Sequence, residues 1–134
     1  MKNAGGGVII NNIGNGGEVL DPKYIAGASG NASLMGFTRA LGAFSLDDNI
    51  RVVGVNPGPV DTDRIYNMLK KRALKDLGDE SRAQDLQKGY PLGRPAYKEE
   101  VSDIIVFLAS HRAGYVTGTI ITVDGGIASR RSII

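Results

Sequence analysis

Apolar positions in this chain fall into two kinds of pattern. Three short runs are rich in β-branched residues, the second of them interrupted by Arg51, and three longer stretches repeat at helical spacing. Val8, Ile9 and Ile10 form the first run, which closes at Asn11-Asn12. Ile50 to Val55 form the second, stopped by Asn56-Pro57-Gly58-Pro59. Thr119 to Val123 form the third, stopped by Asp124-Gly125-Gly126. Runs this short, rich in β-branched residues and bounded by turn residues, predict buried strands. Asp21 as N-cap and Pro22 at the first helical position predict a helix reaching about Leu41 or Phe44. Ile65, Met68, Leu69 and Ala73 mark a second helix, from Thr62 to near Gly78. Val101, Ile104, Ile105 and Leu108 mark another, with Glu99 and Glu100 in its first turn and Gly114 at its end.

These elements alternate, so an open α/β fold is expected: a partial Rossmann-like, doubly wound unit of three parallel strands with flanking helices. Residues 79–88 add a polar helix candidate, and Gly14 to Gly17 and Tyr90 to Pro95 read as loops. Residues 1–126 are expected to form one partial dinucleotide-binding-type domain, and 127–134 a short, loosely held tail. The small residues of the first helix (Ala26, Gly27, Ala28, Gly30, Ala32, Gly36) cost helix propensity, which predicts a close backbone neighbour. The first strand is apolar on both faces, so as an edge it invites pairing.

Composition narrows the function classes. The net charge of +2 is too small to argue for nucleic acid, and Lys70-Lys71-Arg72 with Lys75 reads as a solvated helix face beside Asp76. There is no cysteine, which removes disulfides and thiolate chemistry, and His111 is the one histidine, so no metal site is expected. No apolar run reaches membrane-spanning length, and a cytoplasmic address follows by default.

Several segments, in order, resemble the carboxyl-terminal half of a short-chain dehydrogenase/reductase. They are GVIINN, LMGFTRALG, NIRVVGVNPGPVDT, PLGRPAYKEEVSDIIVFLAS and YVTGTIITVDGG. The resemblance implies hydride transfer between NAD or NADP and an alcohol or carbonyl substrate, and a homo-oligomer. A Tyr would move the proton, a Lys would depress its pKa and a Ser would hold the substrate oxygen. It also implies that Pro57, Gly58, Val60 and Thr62 wrap the nicotinamide carboxamide, Val60 by its backbone and Thr62 by its hydroxyl.

Two departures qualify this. Aligned on Leu34 to Thr38, the Lys, Tyr and Ser places hold Asn31, Gly27 and Gly14. Asn31 retains hydrogen bonding to a ribose hydroxyl but no charge. Tyr24, one turn before Gly27, is either a displaced acid or a packing residue at the helix start. No Gly-rich phosphate loop follows a strand and opens a helix. The expectation is a truncated oxidoreductase-lineage unit, inactive as an isolated chain; the alternatives are a non-catalytic assembly subunit and a degenerate fragment.

Overall fold

The run IRVVGVNP forms the middle strand of a three-stranded parallel sheet in a computed structural model that describes residues 1–130. This strand, β2 (Ile50–Pro57), lies between β1 (Gly7–Asn12) and β3 (Thr119–Val123). Register runs from Gly7 opposite Ile50 to Asn12 opposite Val55, and from Val53 opposite Thr119 to Pro57 opposite Val123. The strands match the three apolar runs, with β1 and β2 each extending into the polar residues that follow.

Each face of the sheet carries one helix. Val53 and Val55, with Ile10, Ile121 and Val123, pack against Val101 and Leu108 of α4 (Lys98–Ala109). The opposite face carries Val52, Gly54 and Asn56 and is covered by α1 (Ile25–Gly42) through buried Met35 and Thr38. A side chain on Gly54 would meet Ile120, Ile13 and Thr38, which identifies that face. This is a partial Rossmann-like arrangement. Both chain crossovers step across the sheet in the same direction, yet their helices lie on opposite faces. The two crossovers therefore have opposite hands, and one of them departs from the strong right-handed rule.

Between β2 and α4, the helix α2 (Asp63–Leu77) packs on a turn at Glu80–Arg82 and on the short α3 (Ala83–Gln87). Ile65, Leu69 and Ala73 are buried as the periodicity predicts, but Met68 is half exposed. Thr62 caps α2, and Gly78 ends it in the left-handed conformation at φ 73°. No helix among the described residues is long and apolar enough to cross a membrane.

Two helix ends differ from expectation. The first helix starts at Ile25, not Pro22. Asp21 instead closes a turn, its side chain accepting from the Lys23 N–H at 2.8 Å and its carbonyl from the Tyr24 N–H. Of the small residues of α1, Gly30 and Gly36 face open space; the close approaches are at Ala32, whose backbone N would lie 2.8 Å from a Cβ on Gly17, and at Gly42, where a Cβ would lie 2.5 Å from the Gly118 backbone. The last helix stops at Ala109 and a 3₁₀ turn covers His111–Ala113 before Gly114. The buried Arg51 guanidinium donates to Leu108 O at 2.7 Å and Ser110 O at 2.9 Å, taking up carbonyls at that helix end. Finally, Ile127–Ser129 form a 3₁₀ turn held by Asp124, while residues 131–134 lie outside the described residues.

Candidate active site and cofactor loop

All three strands end at the same edge of the sheet, and the loops leaving them are tied together by one carboxylate. Asp124 is buried. Its Oδ2 accepts from Asn15 Nδ2 at 3.2 Å and from the Ala128 N–H at 2.8 Å, and its Oδ1 accepts from the Gly126 N–H at 2.8 Å. It thus joins the loop after β1 to the turn after β3. The loop after β2 is pressed against the same residue. Gly58 donates its N–H to Val123 O at 3.0 Å, and a Cβ on Gly58 would fall 2.7 Å from that of Asp124. Glycine is needed at 58 because two loops meet there. Asn15 and Asp124 went unassigned in the sequence; the signal was present as an Asp before Gly-Gly, a residue pair that favours side-chain-closed turns.

The loop Asn56 to Thr62 is rigid for identifiable reasons. Pro57 and Pro59 fix φ. Ala96 donates to Pro59 O and Asp61 donates to Ala96 O, both at 2.8 Å, a one-residue bridge around Val60. Val60 itself is bypassed: its N–H has no hydrogen-bond partner among the described residues. Thr62 differs. Its hydroxyl donates to Val60 O at 3.2 Å and accepts from the Ile65 N–H at 3.4 Å as the cap of α2. Pro57, Gly58, Val60 and Thr62 therefore form one continuous loop with a free amide at its centre. The Thr62 hydroxyl can donate to a ligand only by leaving Val60 O.

Across the strand tips, the places expected to hold catalytic groups do converge. Asn31 Nδ2 donates to Gly14 O at 3.4 Å, and a Cβ on Gly14 would lie 3.3 Å from that nitrogen. A Cβ on Gly27 would overlap the ring of Tyr24, which therefore fills the volume that a residue-27 side chain would enter. The same ring borders Gly16, whose Cβ would lie 3.7 Å from Tyr24 Cε1 and 3.2 Å from Asn31 Nδ2. So Gly14, Gly27 and Asn31 share one corner, and Tyr24 leans into it. Among the described residues no lysine amine is hydrogen-bonded to a tyrosine hydroxyl; the bonded lysines, Lys2 and Lys88, pair with Asp48 and Asp85.

Two other tyrosines lie near the loop, and their electrostatics run against base chemistry. A bond to the Asp61 carboxylate, then loss of solvation, raises the Tyr66 hydroxyl above its ordinary pKa. Burial raises that of Tyr90, partly offset by Arg72. A proton-accepting phenol needs the opposite shift. Tyr90 also lines a cleft of about 230 Å³ with Pro59, Pro91, Val123 and Ile127, on the α4 side of the sheet. Arg94 at its rim is held by Glu100 through two bonds of 2.8 and 2.9 Å and stacks 3.9 Å above the Tyr97 ring.

An open parallel sheet flanked by helices, with its loops gathered at the carboxyl ends of the strands, defines a partial Rossmann-like α/β protein. A family model described as enoyl-(acyl carrier protein) reductase matches residues 1–128. The chain belongs to the short-chain dehydrogenase/reductase family. It is 37% identical over 128 residues to 3-oxoacyl-(acyl-carrier-protein) reductase of Chlamydia trachomatis, covering 96% of this chain and 48% of that protein. An uncharacterized oxidoreductase of Thermotoga maritima is 33% identical over 94% of this chain and 49% of its own length. L-sorbose reductase of Gluconobacter frateurii, solved with NADPH and L-sorbose, superposes with a TM-score of 0.80 at 32% identity, over 98% of this chain and 51% of that one. The chain thus spans about half the length of the relatives it matches.

Proposed function

We propose that this chain is the nicotinamide-side half of an NAD(P)-linked oxidoreductase of the alcohol/carbonyl class, and that alone it neither turns over substrate nor holds a dinucleotide tightly. One observation carries this reading. The corner where a hydroxyl, a phenol and an ammonium would meet holds two glycines and an asparagine, while the loop beside it keeps its shape. A free amide at Val60, between two prolines and a capped helix, suits the carboxamide oxygen of a nicotinamide ring. Pro57 and Gly58 set the loop's path, and Thr62 would exchange its bond to Val60 O for one to the ligand. The pyrophosphate, which supplies much of a dinucleotide's anchoring at glycine-rich helix starts, has no such loop in this sequence.

Tyr24 sits at this corner with its ring over Gly27 and no lysine amine bonded to its hydroxyl, so it acts as a packing residue that fills that space. Asn31 braces the loop carbonyl at Gly14. The exposed apolar side chains on and beyond α4, Val106, Phe107 and Tyr115, are the surface for self-association. The test is ligand binding by the purified chain. Thermal melts with NADH and NADPH at about 1 mM are expected to show no shift, since a ligand at or below its Kd stabilises little. A clear shift would overturn the proposal. So would turnover of a carbonyl substrate by the isolated chain that disappears in Tyr24→Phe.

A further inference from the structure

Asn15 is the one asparagine of this chain followed by glycine; each of the other seven precedes a residue with a side chain. A backbone nitrogen can attack the side-chain carbonyl of an asparagine just before it, and the attacking residue's own side chain is what normally shields that nitrogen. Gly16 has none. The local backbone also bends easily. Glycine fills three of the four positions 14–17, and Gly14 takes φ 124°. Asn15–Gly17 form a single 3₁₀ turn, whose leading N–H groups have no partner inside it. The Gly16 N–H has none outside it among the described residues. Asn15 is only half-buried, and one bond holds its side chain, from Nδ2 to Asp124 Oδ2 at 3.2 Å.

We propose that Asn15 is a deamidation site, and that its conversion frees the loop after β1 from the turn after β3. The Gly16 nitrogen bonds to Asn15 Cγ, the Cγ–Nδ2 bond breaks, and ammonia leaves with the proton that Gly16 gives up. The product is a cyclic imide. Water then adds to one of its two carbonyls and breaks that carbonyl's bond to nitrogen. Opening on one side leaves aspartate at 15. Opening on the other leaves isoaspartate, whose backbone runs through the former side chain. Water is the sole co-reactant, and no redox partner takes part.

Position gives the reaction its effect. Asn15 Nδ2 is the donor that joins the first loop to Asp124, and it lies 3.5 Å from a Cβ built on Gly58, beside the second loop. Conversion removes that donor and sets a new carboxylate against the buried Asp124 carboxylate, so attraction becomes repulsion. Asp124 keeps its bonds from the Gly126 and Ala128 N–H groups. Glu18 still holds the same loop further along, through Thr122 Oγ1 at 3.0 Å and Asn56 Nδ2 at 3.2 Å. The release is therefore local, around residues 14–17. Asp124-Gly125, across the joint, is a related pair. A carboxylate is a poorer target for this attack than an amide, and both Asp124 oxygens are held, so the reaction falls on Asn15.

The experiment ages the purified full chain in mildly alkaline buffer made with heavy-oxygen water, and follows each asparagine by peptide mass spectrometry. Asn15 is expected to be lost to aspartate and isoaspartate carrying the heavy oxygen, while the other seven asparagines and Asp124 are retained. Gly16→Ala should slow that loss by shielding the nitrogen. Its Cβ would lie 3.2 Å from Asn31 Nδ2, the end of a side chain that can shift, and unchanged circular dichroism shows that folding is retained. Asn15→Asp, made directly, should exchange its amide protons at 14–17 faster than the parent. Loss at Asn15 is read against the other asparagines in the same sample, so the parent chain alone can refute the site. Asn15 surviving as long as the other seven, a loss indifferent to Gly16→Ala in a folded variant, or Asn15→Asp exchanging at the parent's rate would each overturn the proposal.

Discussion

Gly36 and Gly42 lie six residues apart in one helix and have opposite effects on its stability. Nothing lies within 4 Å of a Cβ built on Gly36, so glycine there only weakens the helix. Gly36→Ala is expected to stabilise the chain by about 0.5–1 kcal/mol, read as a higher urea midpoint at unchanged slope. Gly42→Ala would press a methyl into the Gly118 backbone and the Val52 carbonyl. Backbone cannot rotate away as a side chain can, so that change should cost about 1–3 kcal/mol. The sequence marked α1 as rich in small residues but could not say which of them met a neighbour, because the neighbour at Gly118 is distant in sequence. Tyr24 shows the same limit. Its spacing of three from Gly27 was legible, whereas its ring lying over Gly27 depends on the helix beginning one residue later.

At the scale of elements, strand and helix identities were readable and several ends were not. Ends set by local chemistry were visible, as with Thr62 before α2 and Gly78 after it. The end of α4 was not, since Arg51 takes up its last carbonyls from a strand 57 residues away. A charged residue in an apolar run was the available clue. Removing that guanidinium leaves buried acceptors unmatched, so Arg51→Met should destabilise the fold by about 2–4 kcal/mol, with faster amide exchange in the turn at 111–113. The other end of α4 is held electrostatically. Arg94, then the Tyr97 N–H, draws the Glu100 carboxyl down to about 2. A carboxylate whose folded pKa lies below its unfolded value stabilises above the unfolded value, and that contribution fades as pH falls toward the folded one. The window here runs from the ordinary 4.5 down to about 2. Glu100→Gln should therefore melt below the parent at neutral pH, and the difference should close as melts are repeated down to about pH 2.

For the whole molecule, alternation of strand and helix was enough to reach a parallel sheet, yet the opposite hands of its two crossovers could not be read from local sequence. The β2-to-β3 connection passes through α2 and α3 before α4, and which face α4 takes is decided by Ile10, Val53 and Ile121 meeting Val101 and Leu108. That topology puts all three strand tips at one edge, where Asp124 ties the loops together. The site is therefore a set of loops gathered around one buried carboxylate. On the proposed register, Gly14→Ser, Gly27→Tyr and Asn31→Lys would place a hydroxyl, a phenol and an ammonium at one corner, provided Tyr24→Ala first clears the volume over Gly27. In the isolated chain these four changes should produce no NADPH oxidation with a carbonyl substrate, because the phosphate site is still lacking and positioning is most of what such a site contributes. Fused in one polypeptide behind the amino-terminal half of the Chlamydia trachomatis relative, they should produce measurable turnover. Omitting Asn31→Lys should then shift the pH profile to the alkaline side, since the phenol loses the cation that lowers its pKa. Turnover by the isolated quadruple variant would show that the frame alone suffices to hold the dinucleotide. A fusion that binds NADPH yet stays inactive with all four changes would show that Gly14, Gly27 and Asn31 are not the places where the three groups belong.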